Sequence, residues 1–576
     1  MLAVTGLLAG FRSVGKDSVA LSSFGSRDCQ IVLPDSTPNP AALQHLKVGA
    51  DMLSKALKET YGIDAPVLPE SKCDTKKNSI FIGNTKTLRN RLGIDSSKYH
   101  DYSFIIAENG GDIFIAGEDK QRFGLLDTPD ASIKTFILGS LKGSVYFAEK
   151  FLDVRFLYPG DIGVDYGAWR KVLGIPKNLK LEVSSPVKYG DSLFRGILYE
   201  YSNNHAGTGA IKNYGGHSHP VAVPAQKYAK DHPEYFMLRS GNRDSEWNHI
   251  CISNPEVQEL IYREMLKQLD AGADIVQLAQ GDGYQQCECE NCKKLFQVSD
   301  PGEKLWILHR DMALRLLKDR PGKKVIIISY GPTKSPPSTF NEFPPNVMIE
   351  LCSYTEDSFK AWNKIKVPCG FTTYIYNWGY YNTVGLTPKR TPKFCAEQVR
   401  LFLKYNVQGV FRCDFGENFG LEGPSYYVYG KMFDDPNQSY EKLTDEFYRR
   451  AYHEAYIPMR TFHETLFKRL GAYSCLENKS CLPDDPRALL TMIYSPDILD
   501  ILEKNLERAE NSAVNPKVKK RIEFIRAEFT YVDNLARILH FYNAYRLNPT
   551  WNNFDQMAAL IEKRNEFISQ CYRDSK

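Results

Sequence analysis

At 576 residues the chain is too long for one domain and implies about three. Its content of 43% hydrophobic and 25% charged residues is that of an ordinary globular protein, and no apolar run reaches the ~18 residues needed to span a bilayer. The net charge of +4, with no dense Lys/Arg run, argues against nucleic acid as a partner.

In chain order, residues 1–27 open with MLAVTGLLAG, which is similar to the hydrophobic region of a secretory signal peptide but lacks the usual basic start. A trimmed signal is expected there, with a disordered start as the alternative, and the first implies a periplasmic or secreted protein. The thirteen cysteines are dispersed rather than laid out as a disulfide framework. Residues 28–185 read as a small α/β domain. Strands are predicted at 30–33 and 79–83, and a helix over 41–61 from the stripe Leu43, Leu46, Met52, Leu53 and Leu57. Alternation on either side of Asn109-Gly110-Gly111 predicts a hairpin, followed by a helix over 141–151. Nothing in this stretch looks catalytic.

Residues 190–435 change to repeated strand, loop and helix. Strands are predicted at 194–199, 235–238, 249–252, 275–279, 325–330, 347–352, 371–376 and 409–413, with helical spacing over 255–269, 303–318 and 392–405. Asn254-Pro255 makes a good helix start, Asn as the cap and Pro in the first turn. Roughly eight short strands in this length predict a (β/α)8 TIM-like barrel. A doubly wound sheet is the alternative, although no Gly-rich dinucleotide fingerprint follows any strand. Strand patterns end there, and helices are predicted over 440–456, 497–512, 518–547 and 554–571, so residues 436–576 read as a helical C-terminal domain.

Catalytic groups of such a barrel lie where its strands end. The run Ile275-Val276-Gln277-Leu278-Ala279 stops at Gly281-Asp282-Gly283, a carboxylate on a Gly-flanked turn. Glu350 stands in the otherwise apolar run from Val347 to Cys352; burying an unpaired carboxylate is costly, so it faces a polar lumen or a cation. The last strand leads into a Gly-rich loop with Asp414, Glu417 and Glu422, one of which is expected to be functional. Carboxylates around a cleft with aromatic walls describe a glycoside hydrolase. One acid protonates the leaving oxygen, and a second carboxylate attacks, activates water or steadies a substrate acetamide. Tyr376, Asn377 and Trp378 end another strand; Trp378 is expected to form a stacking wall for a sugar, with packing under the loop as the alternative. Asn204 and His217 fall in a Gly-, Asn- and His-rich segment expected to bind substrate, His217 by recognising a hydroxyl. Cys287, Cys289 and Cys292 offer three thiolates, one short of a closed zinc site. A fourth ligand from Cys251 or a histidine would complete it, and a disulfide among them is the alternative. No other cofactor is indicated.

Gly216-His217, the run from His232 to Phe236, the run from Cys251 to Val257, the Asp282-Gly283 turn with its cysteines, and Gly423-Pro424 carry a resemblance. On them the chain resembles the large bacterial, glycosidase-like domain-of-unknown-function family whose characterised branch contains endo-β-N-acetylglucosaminidases acting on N-glycans. Residues 28–185 are similar to the small domain that precedes the barrel in α-glucuronidases and β-hexosaminidases. The resemblance implies a retaining glycosidase assisted by the substrate's 2-acetamido group. In β-hexosaminidases the fourth strand ends in an Asp-Glu pair, the Asp steadying the acetamide and the Glu acting as acid. Here Gly283 follows Asp282, so the acid must come from another strand. Glu350 is then expected as general acid/base, Glu417 as the alternative acid, and Asp282 as stabiliser of the acetamide or of oxocarbenium-like charge. The expected partner is an oligosaccharide or glycan. Rival readings are a non-catalytic glycan-binding protein on a barrel scaffold, an exo-acting glucuronidase or hexosaminidase, and a zinc-dependent hydrolase. The sequence sets no oligomeric state.

Overall fold

The computed structural model describes residues 18–22, 29–121, 136–170, 173–190, 196–206, 211–212, 214–246, 249–378, 388–413, 419–472 and 486–574. The chain divides into two compact units. The first holds residues 1–156, 164–188 and 192–210, the second residues 157–163, 189–191 and 211–576.

The first unit is built on β1 (Cys29–Leu33), α1 (Pro40–Tyr61), β2 (Val67–Pro69), β3 (Asn78–Ile82), β4 (Phe104–Asn109), β5 (Asp112–Gly117), α2 (Gly139–Phe151) and β6 (Lys180–Val183). The strands lie in the order β6-β4-β5-β3-β1-β2, with β4 antiparallel to both neighbours and the other pairs parallel. Helix α1 starts where the Asn39 side chain accepts from the Ala41 N–H and stops at Gly62, whose φ of 68° only glycine adopts freely. Its stripe of Leu46, Leu53 and Leu57 is buried in one core with Ile31, Ile80 and Ile106. The β4–β5 hairpin turns on Gly110 and Gly111, φ 61° and 92°, the two left-handed positions a two-residue turn of this kind requires.

The second unit contains seven parallel strands: β7 (Tyr189–Gly190), β8 (Ile211–Lys212), β11 (Ile275–Leu278), β12 (Lys324–Ser329), β13 (Val347–Leu351), β14 (Phe371–Ile375) and β15 (Val407–Arg412). A small hairpin of β9 (Met237–Arg239) and β10 (Asn242–Asp244) stands outside this sheet. The sheet order is β7-β15-β14-β13-β12-β11-β8, so the strands follow one another round a ring in chain order and the first pairs with the last. A seam between β7 and β8 leaves the barrel nearly closed. Helices α3 (Pro255–Asp270), α4 (Pro301–Asp319) and α5 (Pro392–Lys404) connect the strands. Strands covered on both faces read as unbroken apolar runs, and Val325, Ile326, Ile327 and Ile328 are all buried. At α3 the Asn254 side chain accepts from the Glu256 N–H with Pro255 next, as expected from the sequence.

Three of the strands expected in the ring are absent from it. Residues Ile197–Ser202 form a helix entered from Gly196 at φ 134°, residues 235–238 run into the β9–β10 hairpin, and Ile250 makes only an isolated bridge to Phe236. Short apolar runs do not distinguish strand from buried helix. The true first strands, β7 and β8, are two residues each and too short to show any periodicity. The remaining five expected strands coincide with β11 to β15 within two residues.

No described strand follows β15. The chain continues as α6 (Phe419–Asp434), α7 (Tyr440–Tyr452), α8 (Tyr456–Ala472), α9 (Pro486–Ile493), α10 (Pro496–Ser512), α11 (Pro516–Leu547) and α12 (Trp551–Asp574), in the same compact unit as the barrel. None of the described helices is long and apolar enough to cross a membrane.

Candidate active site at the strand ends

Glu350, fourth residue of β13, is fully buried, and its Oε2 accepts a 2.8 Å hydrogen bond from Gln277 Nε2 on β11. Strand β12 separates the two, and neighbouring strands lie about 4.8 Å apart. Side chains meet across an intervening strand at this distance only on the concave face, so both point into the lumen. Gln277 Oε1 in turn accepts from the Gly216 N–H at 3.1 Å, which draws the segment after β8 to the same point. The other carboxyl oxygen, Glu350 Oε1, is buried without a hydrogen-bond partner among the described residues. Burial pushes this carboxyl up to about 8, against the pull of the Gln277 bond, so it stays protonated at neutral pH.

Asp282 is in the opposite state. It sits past the end of β11, exposed, and its Oδ1 accepts from the Tyr330 hydroxyl at 2.7 Å and from the Gly283 N–H at 2.9 Å. The Tyr330 bond is the main cause that holds Asp282 below the usual carboxylate value; partial burial opposes it, and the Gly283 N–H, His217 and His249 add to it. The same bond pushes the Tyr330 hydroxyl up to about 12. Tyr330 directly follows β12, so β11 and β12 present this acid and phenol side by side.

Two histidines complete the rim. His217 Nδ1 lies 2.6 Å from the Gln280 carbonyl, which can only accept, so Nδ1 carries a hydrogen and Nε2 is the ring nitrogen left to face outward contacts. His249 is buried beside Tyr284, and burial lowers its affinity for a proton. The turn passes beside the His249 ring at Gly281, where an added Cβ would lie 3.4 Å from Nδ1, an ordinary contact. Gln280 donates to the Tyr330 carbonyl at 2.7 Å and to Thr333 Oγ1 at 3.0 Å, locking the ends of β11 and β12 together. Beneath, His219 Nε2 and His309 Nε2 are 3.0 Å apart and fully buried. Burial drives His219 down to about 3 and His309 well below its ordinary value, so both stay neutral, one ring donating and the other accepting.

The residues singled out from the sequence separate on this geometry. Asp282, His217 and the lumen carboxyl Glu350 gather around β11 to β13. Tyr376, just past β14, is 41% exposed, with the Tyr374 ring 5.1 Å away and Lys389 Nζ 6.0 Å over its own ring. Trp378 is fully buried with its face stacked on Tyr426 at 3.9 Å, so the packing alternative holds and a sugar cannot lie on it. Asn377 is also buried, its amide paired with that of Gln398 at 2.6 and 3.3 Å. Glu422 is buried in α6, where Oε1 accepts from the Lys389 N–H at 2.7 Å. Asn204 belongs to the first unit, where its Oδ1 accepts at 2.9 Å from buried Lys142. Asp414 and Glu417 lie outside the described residues, as do residues 1–10. Tyr330, Gln277, Gln280 and His249 were not anticipated. Gln277 had a usable signal: a polar residue inside an apolar strand, the same signal that marks Glu350.

Cys251, in the turn before α3, joins Cys287, Cys289 and Cys292, and the four Sγ atoms all lie within 4.8 Å of one another. A cavity of about 660 Å³ opens elsewhere, between α5, α7 and α8, with Glu397, Asp445, Arg460 and Glu464 among its lining residues and none of the strand-end groups.

Side chains brought together from successive strand ends of a nearly closed parallel ring are the mark of a barrel protein with its site on the C-terminal face. The chain belongs to the family described as "Domain of unknown function (DUF4838)", which it matches over residues 170–464. No curated protein sequence matches it. Among solved structures it is similar to a family 89 glycoside hydrolase from Clostridium perfringens in complex with PUGNAc, with 9% identity over 93% of this chain and 67% of that one and a TM-score of 0.45. It is also similar to a chitobiase from Flavobacterium johnsoniae, with 11% identity, coverage of 96% and 94%, and a TM-score of 0.34. A Streptomyces plicatus N-acetyl-β-hexosaminidase gives 8% identity, coverage of 76% and 92%, and a TM-score of 0.39. These likenesses are loose, and the barrel stands on its own strand register.

Proposed function

We propose that this protein is a glycoside hydrolase acting on a glycan, with Glu350 as general acid/base and Asp282 as the ionised partner. The observation that carries this reading is the opposed protonation of two carboxyls from β11 and β13, the strands on either side of β12, Glu350 kept neutral to about 8 and Asp282 held ionised. Environments that push two carboxyls apart are how a site obtains an acid and an anion at one pH. The neutral acid protonates the leaving oxygen. Asp282, tuned by Tyr330, steadies a substrate acetamide or the positive charge that develops at the sugar. His217 Nε2 and the exposed side chain of Tyr376 are placed to meet sugar hydroxyls and a sugar face. The finer reading, an endo-β-N-acetylglucosaminidase with a retaining, substrate-assisted mechanism, is supported by the motif resemblance and by an anion where an acetamide would need one. Glu417 remains the alternative acid.

One observation favours a second reading, a glycan-binding protein without turnover: Glu350 has no exposed surface, whereas Asp282, Tyr330 and Tyr376 are exposed. Asp282→Asn, Glu350→Gln and Glu417→Gln, each assayed for glycan release and for glycan binding, separate the two. Loss of release with retained binding in the Asp282 variant and in one of the glutamate variants is the expected outcome. Full release by both glutamate variants refutes the acid assignment, and binding with no release by the unmodified protein identifies the second reading.

A further inference from the structure

Three cysteines of the sequence motif meet a fourth from a distant turn. Cys251 Sγ is 3.7 Å from both Cys289 Sγ and Cys292 Sγ, all four sulfurs lie within 4.8 Å of each other, and none is in a disulfide. Sulfur bound to zinc lies about 2.3 Å from the metal, so the edge of a regular S4 tetrahedron is about 3.8 Å. A disulfide would bring two sulfurs to about 2.05 Å and leave the other two apart. Four sulfurs converging on one point is instead the arrangement that a single soft cation requires.

The surroundings suit thiolates rather than thiols. The Leu238 N–H reaches Cys287 Sγ at 3.1 Å and the Cys292 N–H reaches Cys289 Sγ at 3.4 Å. Arg243 Nη1 stands 3.8 Å from Cys287 Sγ. Four thiolates around a divalent ion leave a net negative charge, and N–H donors with a guanidinium are what such a centre needs around it. Cys251, Cys287 and Cys292 are buried and Cys289 half-buried, and four thiolates fill the four positions of a tetrahedral ion.

We propose that Cys251, Cys287, Cys289 and Cys292 bind one structural Zn2+ in a closed S4 site that anchors the loop carrying Asp282. The ion joins the turn before α3, the segment after β11 and, through Leu238, the β9–β10 hairpin. The hairpin is tied to the same loop by the Glu288 N–H to the Leu238 carbonyl at 2.8 Å and by the Ser240 N–H to Glu288 Oε2 at 2.7 Å. Only four residues separate Asp282 from Cys287, so a metal at one end restricts the carboxylate at the other. This holds whether or not the strand-end site is a glycosidase.

The test is metal analysis of the full chain, purified without added metal and dialysed against a competing chelator, beside Cys251→Ser and a Cys571→Ser control at an exposed cysteine. One zinc per chain in the unmodified protein and in C571S is expected, with only background metal in C251S. A mercurial thiol reagent should release that zinc in step with modification of four thiols, and this titration on the unmodified chain keeps the test valid if C251S fails to fold. Cobalt substitution should give the visible absorption of a tetrahedral thiolate centre. Substoichiometric metal, equal metal in C251S, stoichiometric iron, or a Cys251 disulfide found by non-reducing peptide mapping would each overturn the proposal.

Discussion

Glu350→Gln separates the acidity of the lumen carboxyl from its shape. Raising a carboxyl from 4.5 to about 8 spans 3.5 pH units, and each unit is about 1.36 kcal/mol, so holding Glu350 neutral in the fold corresponds to roughly 5 kcal/mol. Its folded-state value lies above the unfolded one, so the native state keeps a proton that the unfolded chain releases. Stability is therefore fully present below about 4.5, falls as pH rises, and levels off above about 8. Between pH 5 and pH 8 this one group removes roughly 3 kcal/mol. Glutamine cannot ionise, and its amide oxygen still accepts from Gln277, so E350Q should match the unmodified protein near pH 5 and exceed it by roughly 3 kcal/mol at pH 8. Urea unfolding followed by tryptophan fluorescence reads this directly, because buried Trp306, Trp362 and Trp378 all report on the second unit. Taking the difference between the two proteins cancels every other titrating group. Parallel stability curves from pH 5 to 9 would refute a neutral Glu350.

Tyr330→Phe removes the main group that holds Asp282 ionised. The acid limb of the pH–rate profile should move to higher pH, and the stability that an ionised Asp282 contributes should be lost at a higher pH on acidification; an unmoved limb would show that the bond is idle. Trp378→Ala should cost about 3–5 kcal/mol, the range for deleting a large buried aromatic, whereas Tyr376→Ala should change stability by about 0.5 kcal/mol or less and weaken glycan binding severalfold. Chemical denaturation with a binding titration distinguishes them, and the reverse pattern would restore Trp378 as a sugar platform. Asn204→Ala takes an acceptor from buried Lys142 and should cost about 1–3 kcal/mol while leaving kcat/KM for a glycan unchanged; a loss of kcat/KM at full stability would return Asn204 to the substrate.

Long elements were legible and the seam of the barrel was not. Strands β11 to β15 are four to six residues of apolar sequence with helices of clear period between them, and they fall where pattern reasoning puts them. β7 and β8 supply two residues each, so their place in the ring is set by the strands they pair with rather than by any local preference. For the site, composition led to Asp282 and Glu350, because a carboxylate on a glycine turn and one inside an apolar run both conflict with their neighbours. Trp378 shows the limit: an aromatic at a strand end is as good a packing residue as a binding one, and only Tyr426 lying on its face decides. Tyr330 beside Asp282 is a long-range fact that no local pattern holds, and the count of three thiolates asked for a fourth but left Cys251 and a histidine equal until the fold brought Cys251 to them.

The seam has a consequence for how the chain folds. β7 meets its only described strand partner through Tyr189↔Gly409 and Gly190↔Val410, about 220 residues further on, and such a loop is entropically slow to close. During synthesis at about 5–20 residues per second, residues 189–190 wait roughly 10–40 s for that partner to emerge. The five long strands each add to the one before them as they appear, so the ring grows from β11 towards β15 and its closure on β7 comes last.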